Sequence, residues 1–259
     1  MKLIPERLRR PPRDPEGTMT LVEHLEELRG RLFISLGAIG LGSVIGWFLY
    51  GPVLRLLQNP YCDTIANLPA ENRPPTGCRF VFTGVMEPVV IKLKVVVFLG
   101  LFLALPIVLW QLWAFVVPGL TRRERRLAVP FVASSVVLFA LGAVIAYFTL
   151  PRGLGFLLGF AGSGFVPLLT GDRFLGFVML LALSFGISFE FPVVLIFLSL
   201  VGVISSQKLR QWRRGAILFI AIFAAVITPS QDFVTMTAMM VPLIVFYELS
   251  IWISRALKR

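Results

Sequence analysis

An all-α bundle crossing a membrane several times is the fold class this sequence predicts, on three observations. Mean hydropathy is +0.84, and of 259 residues 57% are hydrophobic and only 15% charged, too apolar for a soluble domain. Six apolar segments recur, at residues 32–50, 89–117, 127–150, 174–204, 215–227 and 233–253. Most of them reach the roughly 20 helical residues that span a hydrocarbon core of about 30 Å. Nowhere do apolar and polar residues alternate as barrel strands would. The chain therefore divides into a basic tail, residues 1–19, and a six-helix transmembrane domain, residues 20–259.

The tail carries Lys2, Arg7, Arg9, Arg10 and Arg13 with four prolines and no apolar run, which is not the pattern of a cleaved signal peptide. Thr20 and Glu23 then have capping-box spacing. Leu21, Leu25, Leu28 and Leu32 fall on one helical stripe, with Glu23, Glu26 and Glu27 on the opposite face. That pattern predicts a helix lying on the membrane surface before segment one enters it. The Pro-rich connection 51–88 holds Cys62 and Cys78, the only two cysteines. In an oxidising compartment they can close it as a disulfide; otherwise they are two free thiols.

Segments two and four, at about 30 residues each, must tilt, bend or project, and Pro106 and Pro192 supply places to bend. A second connection rich in Pro and Gly spans 151–172. Segment five, residues 215–227, is only about 20 Å long at 1.5 Å per residue. Its link to segment six is merely Thr228-Pro229-Ser230-Gln231. Short helices five and six thus form a hairpin in a cupped bundle that faces a thinned membrane. Glu87 and Asp232, at helix starts, read as caps.

A net charge of +11 invites a nucleic-acid reading, but the distribution excludes it. With the N-terminus cytoplasmic, 18 of the 25 lysines and arginines fall on that side, as the orientation rule for membrane proteins demands. Both termini are therefore expected in the cytoplasm. Trp110, Trp113, Trp212 and Trp252 lie towards the inner ends of segments and Trp47 towards an outer end, as interfacial anchors do.

Enzyme readings lack parts. His24 is the sole histidine, so no multi-His metal site and no Ser-His pair can be assembled within the membrane. No phosphate-binding loop motif occurs, and no cofactor or metal is expected. Glu190, near the middle of segment four, stands out, because a charged carboxylate there costs roughly 2.5–3.5 kcal/mol. It marks either a functional site or a neutral acid bonded to a neighbouring helix. A proton-coupled secondary transporter or channel using Glu190 is the alternative function this residue supports. Glu248, in segment six, has similar standing.

Several stretches in order closely resemble one family: His24-Leu25-Glu26-Glu27-Leu28-Arg29-Gly30-Arg31-Leu32, Leu105-Pro106-Ile107, Gln111-Leu112-Trp113-Ala114-Phe115, Pro118-Gly119-Leu120, Glu124-Arg125-Arg126 and Ser188-Phe189-Glu190-Phe191-Pro192. Together they resemble TatC, the multispanning receptor subunit of the twin-arginine protein translocase, from about Val22 to the end of the chain. The resemblance implies recognition, at the cytoplasmic face of the inner membrane, of paired-arginine signal peptides on folded cargo. It also implies single-span partners TatA and TatB, an oligomer among membrane lipids, and transport driven by the proton motive force. Carried over by motif, Glu124 and Glu27 contact the arginine pair, and Phe115, Pro106 and Arg29 serve receptor function. Glu190 and Thr228 become intramembrane polar sites for partner helices. After segment five this chain has Thr228-Pro229-Ser230-Gln231-Asp232, one residue more than the family's common Thr-Pro-Pro-Asp.

Overall fold

A computed structural model describes residues 21–70, 73–116, 128–159 and 169–257. These residues form eight helices: α1 (Leu21–Ala66), α2 (Glu87–Val116), α3 (Ala128–Gly159), α4 (Gly171–Ser188), α5 (Phe191–Leu200), α6 (Ser206–Gln211), α7 (Arg213–Ile227) and α8 (Phe233–Leu257). A lone parallel bridge, Val81 to Thr170, is the only strand-like pairing among the described residues. Five stretches are long and apolar enough to cross a membrane: α1, α2, α3, α4 with α5, and α8. The chain is thus a multi-pass membrane protein. The 15-residue α7 is the short sixth, about 22 Å at 1.5 Å per residue. Its hairpin partner α8, expected to be short as well, is a full 25 residues. The tail 1–19 lies outside the described residues.

Helices overrun the connections expected between them. α1 runs 46 residues and passes through Pro52 and Pro60, although a proline inside a helix costs about 3 kcal/mol. Burial offsets that cost. Leu57, Tyr61 and Ile65, one turn apart, are all buried, Tyr61 to 1% exposure, and the Tyr61 ring lies 5.3 Å from those of Phe80 and Phe174. In the same way α3 continues through Pro151, with Leu150 and Leu154 buried on either side of it. Cys62, inside α1, is joined to Cys78 as a disulfide with Cα atoms 4.9 Å apart, which pins the returning chain against the helix.

Segment four is interrupted where a bend was expected, with Phe189 and Glu190 keeping right-handed helical dihedrals between its two halves. α4 ends at Ser188, and α5 begins at Phe191 with Pro192 in its first turn, where a missing N–H is tolerated. Pro106, by contrast, lies within an uninterrupted α2. Glu87 caps the start of its own helix and reaches a second one: its carboxylate accepts the Thr83 N–H at 2.8 Å just before α2 and, more weakly, the Asp172 N–H at 3.4 Å in the first turn of α4. Lys94 holds Asp172 from α2 at 2.6 Å.

α1 and α2 cross at Gly42, Gly46 and Gly100. A Cβ added to Gly42 would stand 2.6 Å from the Gly100 carbonyl oxygen, and one added to Gly100 would stand 2.6 Å from the Ile39 carbonyl oxygen. Small residues permit this backbone approach, which supplies packing where lipid leaves no hydrophobic drive. The main core gathers Leu175, Phe185 and Phe189 with Met239, Leu243 and Tyr247, and a smaller one gathers Leu105, Leu109 and Trp113 with Phe139 and Val193.

Asp232 caps α8. It accepts the Thr235 N–H at 2.9 Å and the Thr235 hydroxyl at 2.6 Å. Burial works against its ionisation, but hydrogen bonds from Ser230 and Thr235 outweigh it and hold the carboxyl below the usual carboxylate range. Asp232→Ala is expected to cost about 1–2 kcal/mol, as lost caps do. The contribution is complete above the ordinary aspartate value of about 3.9 and is lost as pH falls through the lower folded value. Melting of wild type and variant in detergent at pH 7 and pH 3 checks it, with the gap between them narrowing in acid.

Candidate functional site

At the end of the bundle where α1 begins and α2 finishes, two separate contacts tie the helices together. The His24 and Phe115 rings stack with centroids 4.2 Å apart and planes 16° from parallel. About two turns along α1, Arg31 donates from Nη1 to Gln111 Oε1 at 3.3 Å. Glu27, between these contacts on the same face of α1, pairs with Arg31 in a lopsided way. Arg31 Nε and Nη2 both donate to Glu27 Oε1, at 3.1 and 2.6 Å. The other oxygen, Oε2, is buried and has no hydrogen-bond partner. A carboxylate has about four lone-pair sites, and here half of that capacity is held in place, desolvated and unused.

The arrangement follows from local sequence. Spacing of three and four puts His24, Glu27 and Arg31 on one helical stripe, and α2's Gln111 and Phe115, four apart, meet that stripe from the other side. Arg29 lies on a different face, exposed, with its guanidinium 5.6 Å from the Phe33 ring. Pro106 is exposed on α2, nine residues and so about 13 Å of helix from Phe115. The structure therefore brings together Glu27 and Phe115, and leaves Arg29 and Pro106 beside rather than within that junction. Glu124 lies outside the described residues, in the α2–α3 connection that starts two residues after Phe115.

A second polar cluster lies deeper. Trp113 Nε1 donates to Ser135 Oγ at 3.0 Å, and Ser135, fully buried, lies near the Glu190 carboxyl. Glu190 Oε1 is buried without a hydrogen-bond partner. The break between α4 and α5 places this acid at a helix junction instead of along a continuous wall. Thr228 is 0% exposed, and its hydroxyl donates to the Ala224 carbonyl at 2.7 Å, so it faces the interior of the protein. Glu248 meets the N-terminus of α7: Arg213 Nε and Nη2 grip its two oxygens at 2.6 and 2.7 Å.

Sequence reasoning missed His24, Gln111, Ser135 and Trp113 as parts of these clusters, and missed Arg213 as the partner of Glu248. The first two had a signal: they sit in the same short stretches as Glu27 and Phe115. The pairing of residues 35 and 80 positions apart had none.

Residues 23–242 match the family model described as Sec-independent protein translocase protein (TatC). The chain is 43% identical over 242 residues to the Sec-independent protein translocase protein TatC of Frankia casuarinae, covering 91% of this chain and 65% of that one. To the protein of the same name from Corynebacterium kroppenstedtii it is 36% identical over 264 residues, covering 95% and 64%. It thus spans just under two thirds of the length of these two relatives. A crystal structure of the Twin Arginine Translocase Receptor TatC superposes with a TM-score of 0.71 at 35% identity, covering 92% of this chain and 100% of that one.

Proposed function

The chain belongs to the TatC family of Sec-independent protein translocase proteins, and from that premise we propose that it is the receptor and core subunit of a twin-arginine translocase. It binds paired-arginine signal peptides at the cytoplasmic face of the inner membrane, with both termini on that side. It assembles with single-span TatA and TatB, and the complex exports folded proteins using the proton motive force. Membership puts the chain with translocase components rather than enzymes.

One observation supports the peptide-binding step above others: the buried, unpaired Oε2 of Glu27 at the α1–α2 junction. Arg31 neutralises the carboxylate from one side through Oε1, while the second oxygen has no partner. An incoming guanidinium can take it through a charge-assisted fork that an ammonium reproduces poorly. Glu124 supplies a second carboxylate in this reading, on the connection that follows Phe115. Phe115, stacked on His24, flanks Glu27 at the junction; Arg29 and Pro106 act from beside it. Glu190 and the α7–α8 turn at Thr228 serve the partner helices.

Binding of a labelled signal peptide to the purified full chain tests the proposal. Replacing both arginines by lysines is expected to weaken binding at least about tenfold, the loss of one charge-assisted hydrogen bond at roughly 1.5 kcal/mol. Equal affinity for the two peptides overturns it. A proton-coupled transporter at Glu190 would instead carry proton or solute flux in vesicles holding this chain alone.

A further inference from the structure

α6, the N-terminus of α7 and the last turns of α8 enclose a recess of about 520 Å³ lined by Ser206, Gln207, Arg210, Arg213, Ile251, Trp252 and Arg255. Three guanidiniums and no carboxylate face it. The nearest acid, Glu248, is already held by Arg213 through both oxygens. Among the described residues Arg210 and Arg255 make no ion pair and no hydrogen bond through their side chains. Two exposed cations therefore line a cavity without a counter-charge, and an anion entering it relieves their mutual repulsion.

We propose that this recess binds the phosphate of an anionic phospholipid from the adjoining leaflet. Position selects lipid over a soluble anion. The recess opens where the membrane-crossing stretch of α8 ends, at Ala256, so its arginines stand at headgroup level. Trp252, 72% exposed, stands at its edge as interfacial tryptophans do. The lining grades from guanidiniums to Ile251 and the Trp252 ring, matching the change from phosphate to acyl chain along a lipid. Non-bridging phosphate oxygens suit the planar fork of Arg210 and Arg255, and Ser206 and Gln207 offer neutral donors for the remaining oxygens. Basic pockets between helices near the headgroups are the general form of such sites. Tyr247 braces one wall, its buried hydroxyl donating to the Leu209 carbonyl of α6 at 2.6 Å, so the recess is held open by the fold and not by its ligand.

Native mass spectrometry of the full chain, in micelles mixing phosphatidylglycerol and phosphatidylcholine of matched acyl chains, tests this. The first phosphatidylglycerol bound is expected to be preferred over phosphatidylcholine on the order of tenfold. In the double variant Arg210→Gln, Arg255→Gln that preference falls to within about twofold, whereas Arg214→Gln, outside the recess, retains it. Each single variant is expected to lose part of it, which guards against a folding defect in the double. Inorganic phosphate at millimolar concentration should not displace the lipid. Unchanged preference in the double variant overturns the site, and displacement by phosphate alone overturns lipid as its occupant. The outcome does not depend on the peptide-binding reading, because neither arginine touches the α1–α2 junction.

Discussion

Glu27→Gln is expected to weaken binding of a paired-arginine peptide by roughly thirtyfold, about 2 kcal/mol for a hydrogen bond to a charged group, while the chain still folds. The variant is isosteric. Its carbonyl can replace Oε1 as the acceptor from Arg31, but the position of the open oxygen is then held by an amide that donates, and it meets an arriving guanidinium with the wrong polarity. Stability should barely change, since the Glu27–Arg31 pair is partly exposed, at 25% and 23% for the two side chains, and such i, i+4 pairs contribute about 0.3–0.5 kcal/mol. Glu26→Gln, on the exposed side of the same turn, should stay within twofold of wild type. Adding Glu124→Gln should weaken binding further, and additive losses would mean independent contacts. Wild-type affinity in Glu27→Gln would remove this residue from the site.

Gly100→Val is expected to be the most damaging substitution for the fold. Its Cβ would meet a backbone carbonyl, that of Ile39 at 2.6 Å, which cannot rotate away as a side chain does. Relief requires α1 and α2 to separate along their crossing, and the loss should sit at the upper end for overpacked sites, about 3 kcal/mol. Gly40→Val is the matched control, because a Cβ there meets nothing within 4 Å. Thermal unfolding in detergent should show a large drop for Gly100→Val and a small one for Gly40→Val. Equal melting of the two would mean that α1 and α2 do not cross at Gly100.

The candidate site was half legible. Glu27 and Phe115 were found because each lies in a short stretch resembling one family. That these stretches meet, His24 on Phe115 and Arg31 on Gln111, was not readable, since a stacked ring pair leaves no periodicity in either helix. Glu190 was found by its cost, a lone acid in an apolar run. Its neighbours Ser135 and Trp113 were not, because a serine and a tryptophan in a membrane helix are unremarkable until a third helix brings the acid to them.

By itself the sequence determined that this is a helical chain of repeated membrane crossings, for only helices and closed barrels satisfy their own hydrogen bonds across lipid and no barrel alternation occurs in it. It also determined the family, through motifs dispersed from Val22 onward. Only the tertiary structure decided where the helices stop. α1 continues past Pro52 and Pro60 because Leu57, Tyr61 and Ile65 find a core to bury in, while segment four breaks before Pro192 with the Phe189 ring fully buried among its neighbours. The same proline is tolerated or terminating according to what packs against the next turn. Which of Glu27's oxygens remains open was likewise settled by α2, whose Gln111 holds Arg31 to one side.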